Sequence, residues 1–570
     1  MKSIYTLIPL FGAVGAKSLN YCPLLGAVYS TPKTLCKDAA FQEAKHNISL
    51  SLDAIVAGKS SLLGSTYVSD TTSLSVQIWS TSDSKPEFEY YYTSPLTKNA
   101  RVGVTEVNED TVFRIGSASK LWTVLLLLIE NGDAVLSDRV VKWVPELAAA
   151  AKEIGRDFDR INHVDWNEVT LFELASQLSG VARDYAFGDL ATLGLDLTQD
   201  GFPQLSKVPP CGNLQVGACN RTQYLQGILQ AHPTFPTAHT PSYSNANFQI
   251  LAYALEAMTN ETYDTLLSRD LIKPLGLEHL TSTAPADKYG IIPWDAATSY
   301  WALNSGDEAP AGGLYASTKD MVTLGRAVLN NTLLSPALTR RWMKPAAHMG
   351  SLTASVGAPW EIFTIPTSRA VDVYTKSGDL CSYSSMTALS PDHGVGFTIL
   401  AAGNHTTAVV QTLTQAMMEI LVPALDAAAK EEAVLRFTGT YAHNNNNRSN
   451  YSITITTDGG PGLKVEEWIN DSVDVIDTIQ ALEGYSSEPS VRMYPTGLES
   501  SGQVSFVAII QQLESASRQV PCTTWYMVDS QVYGNVGVDE FLFQVDGQGD
   551  VVALSPRTLR TVLPKVSSKM

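Results

Sequence analysis

The chain has 570 residues, 44% of them hydrophobic and 17% charged, which is enough for two domains or more with ordinary globular cores. Its formal net charge of -18 excludes nucleic acid and an anionic membrane surface as natural partners, since both repel an acidic protein. Net charge says little about one pocket, so neutral and cationic substrates are favoured only weakly.

In chain order, Lys2, the mostly apolar stretch Ile4 to Val14 and the small residues Val14-Gly15-Ala16 have the layout of a secretory signal peptide, residues 1–16. A buried first helix is the alternative. Residues 17–69 follow as an N-terminal extension. Six cysteines fall as two close pairs, Cys22 with Cys36 and Cys211 with Cys219, and a distant pair, Cys381 with Cys522. The even count suits an oxidising compartment, with buried free thiols as the alternative. Cys381 joined to Cys522 would tether the C-terminal segment beside the site. Sequons at Asn47, Asn220, Asn260, Asn330, Asn404, Asn447, Asn450 and Asn470 fit a secreted glycoprotein.

Ser117-Ala118-Ser119-Lys120 follows the extended stretch from Phe113 and leads into the apolar run Leu121 to Ile129. Residues three apart share a helix face, so a hydroxyl meets an amine in a poorly solvated place. Burial disfavours the ammonium form and lets the amine act as a base toward the hydroxyl. A helix start also offers N-H groups to a developing oxyanion. Ser30 to Lys33 and Ser82 to Lys85 share the spacing, but Pro32 and Pro86 keep either from opening a long helix.

Further along come Val169-Thr170-Leu171 to Leu178-Ser179-Gly180; Pro241-Ser242-Tyr243-Ser244-Asn245 ahead of the amphipathic Gln249 to Met258; and Pro310-Ala311-Gly312-Gly313-Leu314. Tyr374-Thr375-Lys376-Ser377-Gly378-Asp379 reads as a strand, as does Gly394 to Ala402. The Ala-rich Thr407 to Val434 reads as a helix. Beyond it, residues 435–570 alternate strands with turns: Phe437 to Tyr441, Tyr451 to Thr456, Gly459 to Val465 and Val504 to Gln511. No unbroken run after the N-terminus reaches the ~20 apolar residues that a bilayer span needs.

Ser-x-x-Lys, Tyr-x-Asn and Lys-Ser-Gly in that order resemble the serine β-lactamase and penicillin-binding protein family, nearest its class C and esterase branch and its secreted fungal members. The likeness covers residues 70–425. It implies an α+β catalytic domain, an antiparallel sheet flanked by helices with a mostly helical insert from about 130 to 300. Residues 435–570 resemble the lipocalin-like, β-barrel-like domain that follows it in many relatives, read here as a stabilising appendage. By the resemblance, Ser117 is the nucleophile, Lys120 its base, Tyr243 a partner in the proton shuttle and Lys376 a second cation beside the phenol. Asn245 would bind Lys120 and the acyl side chain, and the backbone N-H groups of Ser117 and Asp379 would form the oxyanion hole, with Ser377 and Gly378 lining the substrate strand. Asp379 departs from the family pattern, where a small or polar residue is common. Facing the cleft, it would disfavour the carboxylate of penicillins and cephalosporins and favour neutral acyl substrates.

No Gly-x-Ser-x-Gly elbow, His-Glu-x-x-His helix, phosphate-binding loop or internal repeat occurs, and the nine histidines fall singly. No cofactor and no metal are implied. The sequence therefore predicts a secreted serine hydrolase that forms an acyl-enzyme on an ester, lactone or amide bond of a small molecule. An acyltransferase of natural-product biosynthesis using the same intermediate is the alternative, and a ligand-binding pseudoenzyme is the remaining one. The oligomeric state is not legible.

Overall fold

The computed structural model describes residues 21–58, 69–192, 194–213, 217–445, 449–513 and 522–567. The expected signal peptide and Asn447 lie outside the described residues. Two compact units result, one of Pro32–Leu425 and one of Met1–Thr31 with Asp426–Met570.

The larger unit is built on an antiparallel sheet. Its strands are β1 (Ser73–Ser80) and β2 (Pro86–Tyr92), then β5 (Ala347–His348), β6 (Ala354–Val356), β7 (Glu361–Pro366), β8 (Ala370–Leu380), β9 (Tyr383–Ser390) and β10 (Val395–Ala402). They lie in the order β2-β1-β10-β9-β8-β7-β6-β5, while β3 (Val112–Arg114) and β4 (Tyr315–Ser317) pair separately. All eight residues of β1, β9 and β10 are buried, which places these strands at the centre, covered on both faces. Their hydroxyls are admitted because they find partners, as Ser75 does in Thr318 at 2.6 Å. On the helix Ala39–Val56 the buried residues Phe41, Ala44, Ile48, Leu52 and Ile55 recur at three and four, the stripe of a helix laid on a core.

Ten consecutive residues of the helix Ser119–Asn131, from Ser119 to Leu128, are buried. The insert after it is less helical than its sequence suggests. It holds the helices Pro145–Ile154, Arg221–Ile228 and Ala246–Thr259, but residues 176–220 run mainly as loops and short turns. Glycines, prolines and the short Cys211–Cys219 loop interrupt the periodicity there.

The helix Thr406–Phe437 runs three residues beyond the expected end at Val434. By length and composition alone it could cross a membrane. Its apolar residues, Val409, Val410, Leu413, Met417, Leu421 and Phe437 among them, are instead buried within the protein.

The second unit carries β11 (Gly439–Asn445), β12 (Ser449–Thr456), β13 (Leu463–Asn470), β14 (Val473–Asp474), β15 (Ser490–Ser500), β16 (Gln503–Gln511), β17 (Glu540–Val545), β18 (Val551–Pro556) and β19 (Leu563–Ser567). Their order, β12-β11-β19-β18-β17-β16-β15-β13-β14 with an additional β12–β13 pairing, makes a barrel-like sheet. Alternation supplies its core: Phe541 and Phe543 point inward from β17, joining Tyr441, Ile453, Trp468, Met493 and Phe506. Val28 and Tyr29 of the N-terminal segment pack into the same core. Arg492, buried, donates to Asp458 at 2.6 Å and to the Tyr21 hydroxyl at 3.2 Å.

Two disulfides form, Cys22–Cys522 and Cys211–Cys219, with Cα atoms 5.5 and 4.9 Å apart. Cys36 and Cys381 are exposed free thiols, which corrects both the Cys22–Cys36 pairing and the Cys381–Cys522 tether. The reason is topological: Cys22 lies in the unit that contains Cys522, whereas Cys36 and Cys381 lie in the other. Of the described sequon asparagines, Asn47, Asn220, Asn260, Asn330 and Asn450 are exposed, and Asn404 and Asn470 are half-buried.

Candidate active site

The Ser117 position is made by two close backbone approaches. From β3 the chain passes Ile115 into a tight turn, Gly116–Ala118, before the helix begins at Ser119, so Ser117 stands one short turn ahead of the expected helix. Gly116 has φ +52°, and a Cβ there would lie 2.6 Å from the Asp379 nitrogen. A Cβ on Gly378 would lie 2.0 Å from the Ile115 carbonyl oxygen. Only glycine at both positions lets β8 run this close to the turn. The Ser385 hydroxyl fastens the approach by donating to the Ile115 carbonyl at 2.6 Å.

Lys120 comes off the first turn of the helix, fully buried. Its Nζ lies 2.8 Å from Ser117 Oγ, 2.6 Å from Asn245 Oδ1 and 2.5 Å from the Ala311 carbonyl. Its three donors thus meet a hydroxyl, a side-chain amide oxygen and a backbone carbonyl. Burial pushes the Lys120 pKa down and the Lys376 charge lowers it further, against an opposing pull from Tyr243.

Tyr243 lies on a loop held on both sides. Ser242 N-H donates to the Gln177 carbonyl at 2.8 Å and Ser244 N-H to Gln177 Oε1 at 2.7 Å. Gln177 takes a left-handed φ of +64° to do both. The ring has Arg183 at 4.8 Å, Lys120 at 5.1 Å and Lys376 at 5.4 Å from its centroid. Burial alone would raise the phenol's pKa, but the charges of Lys120 and Lys376, with a hydrogen bond to Ser117, leave it below the ordinary tyrosine value.

Lys376 is buried on β8 and paired with Glu361 of β7, while Glu361 Oε2 accepts the Ser377 N-H at 2.9 Å. Burial works against the Lys376 ammonium, yet Glu361 and Tyr243 hold its pKa above the usual lysine value. In an antiparallel strand alternate N-H groups share an edge, so the N-H of Asp379 leaves β8 on the same side as that of Ser377, beside Gly116. Its carboxylate is engaged elsewhere, accepting from Ser384 Oγ at 2.6 Å and Thr407 Oγ1 at 2.7 Å. The expected acid poised to meet a substrate at this position is thus occupied by two hydroxyls.

A half-open cleft lies over Ser117. Asn245, Ala311, Gly312, Asp379 and Leu380 line it, as do Gly212, Asn213, Gly217 and Ala218 from the disulfide-closed loop. Two further acids line it, Asp184 and Glu308. Burial raises Asp184 to about 6 against stabilisation by Asn245, Lys120 and Arg183. Burial and then the neighbouring Asp184 raise Glu308 to about 8, with Lys120 opposing. Sequence reading missed Glu361, Gln177, Asp184 and Glu308, none of which belongs to a fixed-spacing motif. Glu361 could have been sought as the partner that a buried strand lysine requires. Among the described residues, one cluster has metal-ligand chemistry, Asp110, Glu278 and His279 with ligand atoms within 4.8 Å of one another. It lines no part of the cleft, and Lys319 pairs with Asp110 at 3.1 Å.

An antiparallel sheet carrying the Lys-Ser-Gly strand against a Ser-x-x-Lys turn defines the class, and the chain belongs to the β-lactamase family, whose profile matches residues 67–421. A second profile, described as beta-lactamase-like-like, C-terminal domain, matches residues 429–567. The chain is 28% identical over 606 aligned positions, covering 98% of both chains, to a beta-lactamase-like protein of Arthroderma benhamiae. It is 25% identical to probable hydrolase M10 of a Phoma species, over 75% of this chain and 72% of that one. It is 26% identical to the human putative beta-lactamase-like 1, over 57% and 60%. Among solved structures, a D-stereospecific amidohydrolase from a Streptomyces species aligns with a TM-score of 0.47 at 19% identity, over 65% of this chain and 98% of that one.

Proposed function

We propose that the protein is a serine hydrolase that forms an acyl-enzyme on Ser117 and cleaves an ester, lactone or amide bond of a small molecule. The observation that carries this reading is the Lys120 Nζ, 2.8 Å from Ser117 Oγ, in a buried setting that lowers its pKa. Lys120 takes the hydroxyl proton as Oγ attacks the carbonyl carbon. The carbonyl oxygen gathers negative charge against the N-H groups of Ser117 and Asp379. Tyr243, between Lys120 and Lys376, passes a proton to the leaving group and later takes one from water, so that hydrolysis of the acyl-enzyme restores the serine.

The names of relatives such as probable hydrolase M10 agree with this class. Two disulfides and the exposed sequon asparagines support secretion into an oxidising compartment. The test is a tagged aryl phosphonate: stoichiometric labelling at Ser117 is expected, lost in Ser117→Ala. A folded Ser117→Ala protein that turns over aryl esters at the wild-type rate would overturn the assignment. Adding alcohol or amine acceptors to the same assay reports on the acyltransferase reading, because acyl products in place of free acid would show the intermediate drained by another nucleophile.

A further inference from the structure

Charge around the cleft is not balanced. Each cation at the catalytic centre is already engaged: Lys376 is paired with Glu361, Arg183 lies against the Tyr243 ring with its guanidinium 3.8 Å from Asp184, and the Lys120 amine is held by Ser117, Asn245 and the Ala311 carbonyl. The carboxylates are in excess. Asp184 accepts from Asn245 Nδ2 at 2.9 Å, and the same amide's Oδ1 receives the Lys120 amine, so one side-chain amide separates this acid from the group that activates the nucleophile. Glu308 sits directly before the turn Ala309–Gly313, whose Ala311 carbonyl holds Lys120. Among the described residues no hydrogen bond reaches its carboxylate, whereas its neighbour Asp307 is engaged by the Tyr253 hydroxyl at 2.9 Å. Both acids border the open volume over Ser117.

We propose that this cleft selects acyl substrates carrying a cationic amine a few bonds from the scissile carbonyl, with Asp184 and Glu308 as the residues that receive it. The inference rests on the hydrolase reading above. Asp184, reached from Ser117 through Lys120 and Asn245, fixes how near the reacting carbon the cation must lie, and Glu308 supplies the second acceptor from the facing turn. An ammonium has three donors and no acceptor, the complement of a carboxylate-lined cleft. Burial raises the pKa values of both acids, Asp184 despite Arg183 and Lys120, and an ammonium beside them would favour their charged forms. Asp379, the acid that the sequence pointed to, also borders the cleft, but its carboxylate accepts from Ser384 and Thr407.

The experiment compares two p-nitroanilides of equal size, β-alanyl and butyryl, which differ by an ammonium in place of a methyl group. With the full chain the β-alanyl compound is expected to have the higher kcat/KM by roughly 10- to 100-fold, the range for one charge-assisted contact pair in a partly desolvated cleft. Glu308→Gln and Asp184→Asn should each pull that ratio down about tenfold or more. Phosphonate labelling of Ser117 is run in parallel. A labelled, active enzyme whose ratio is one or less, or whose ratio survives both substitutions, overturns the inference and leaves the hydrolase reading standing. A wild-type chain that neither labels nor turns over either compound overturns both together. Should neither variant fold, the wild-type ratio decides, with a value of one or less counting against the proposal.

Discussion

Glu361→Gln tests whether the Lys376 charge works on Tyr243. The lysine is buried with a 1% exposed side chain, and its carboxylate partner is 29% exposed. Lys376 Nζ lies 5.4 Å from the tyrosine ring centroid. At an effective dielectric near 20, two unit charges at that separation interact by ~3 kcal/mol, or about two decades in rate. That is the ceiling for losing the cation completely. Glutamine still offers a carbonyl to the ammonium, so a drop of roughly 10- to 100-fold in the acylation rate is expected. The direction in pH follows from the sign of each shift. Glu361 raises the Lys376 pKa and, directly, that of Tyr243, while the Lys376 charge lowers that of Tyr243, so removing the carboxylate lowers both for as long as Lys376 keeps its proton. The descending limb of the pH-rate profile, set by Tyr243 as proton donor to the leaving group, then moves to lower pH, by about one unit for each 1.4 kcal/mol. The assay is the burst phase with an aryl ester across pH, beside urea unfolding, where breaking a partly exposed pair should cost ~1–3 kcal/mol. A folded Glu361→Gln enzyme with a wild-type burst rate and an unmoved limb would refute the reasoning.

Gly378→Ala should lower the burst rate at least about a hundredfold, because the added Cβ would meet the Ile115 carbonyl and push β8 away from the nucleophile turn; a wild-type burst would show that the close approach is dispensable. Non-reducing peptide mapping after native alkylation should recover linked Cys22–Cys522 and Cys211–Cys219 fragments with Cys36 and Cys381 alkylated, and a Cys381–Cys522 fragment would refute this pairing. Glu308 carries a folded pKa of about 8 against an ordinary 4.5, so the unfolded chain releases this proton first and the fold loses stability as pH rises from about 4.5 to about 8. Glu308→Gln should therefore raise Tm relative to wild type at pH 8 and lose that advantage near pH 4; an equal Tm difference at both would show that the shift is absent.

What the sequence determined by itself is the chemistry carried at short range. Ser117 and Lys120 are one helical turn apart, so their meeting needs only local backbone geometry, and Tyr243, Asn245 and Lys376 were legible because each lies in a short segment of fixed spacing. Strand and helix periods likewise showed the sheet-rich C-terminal unit and the buried nucleophile helix. What only the tertiary structure decided are the long-range pairings. Glu361 becomes the partner of Lys376 through the β7–β8 register, which sets Glu361 opposite Thr375, and register depends on the whole sheet rather than on either strand. The acids around the cleft show the same dependence. Asp379 does border the cleft, as its place after Lys-Ser-Gly suggested, but the two hydroxyls that its carboxylate accepts come from β9 and a distant helix, and Asp184 and Glu308, 124 positions apart in the sequence, were brought to the same cleft by folding. The cysteines repeat the lesson: proximity along the chain suggested Cys22 with Cys36, yet the first described residues fold into the core of the C-terminal unit, where burial of Val28 and Tyr29 carries Cys22 to Cys522.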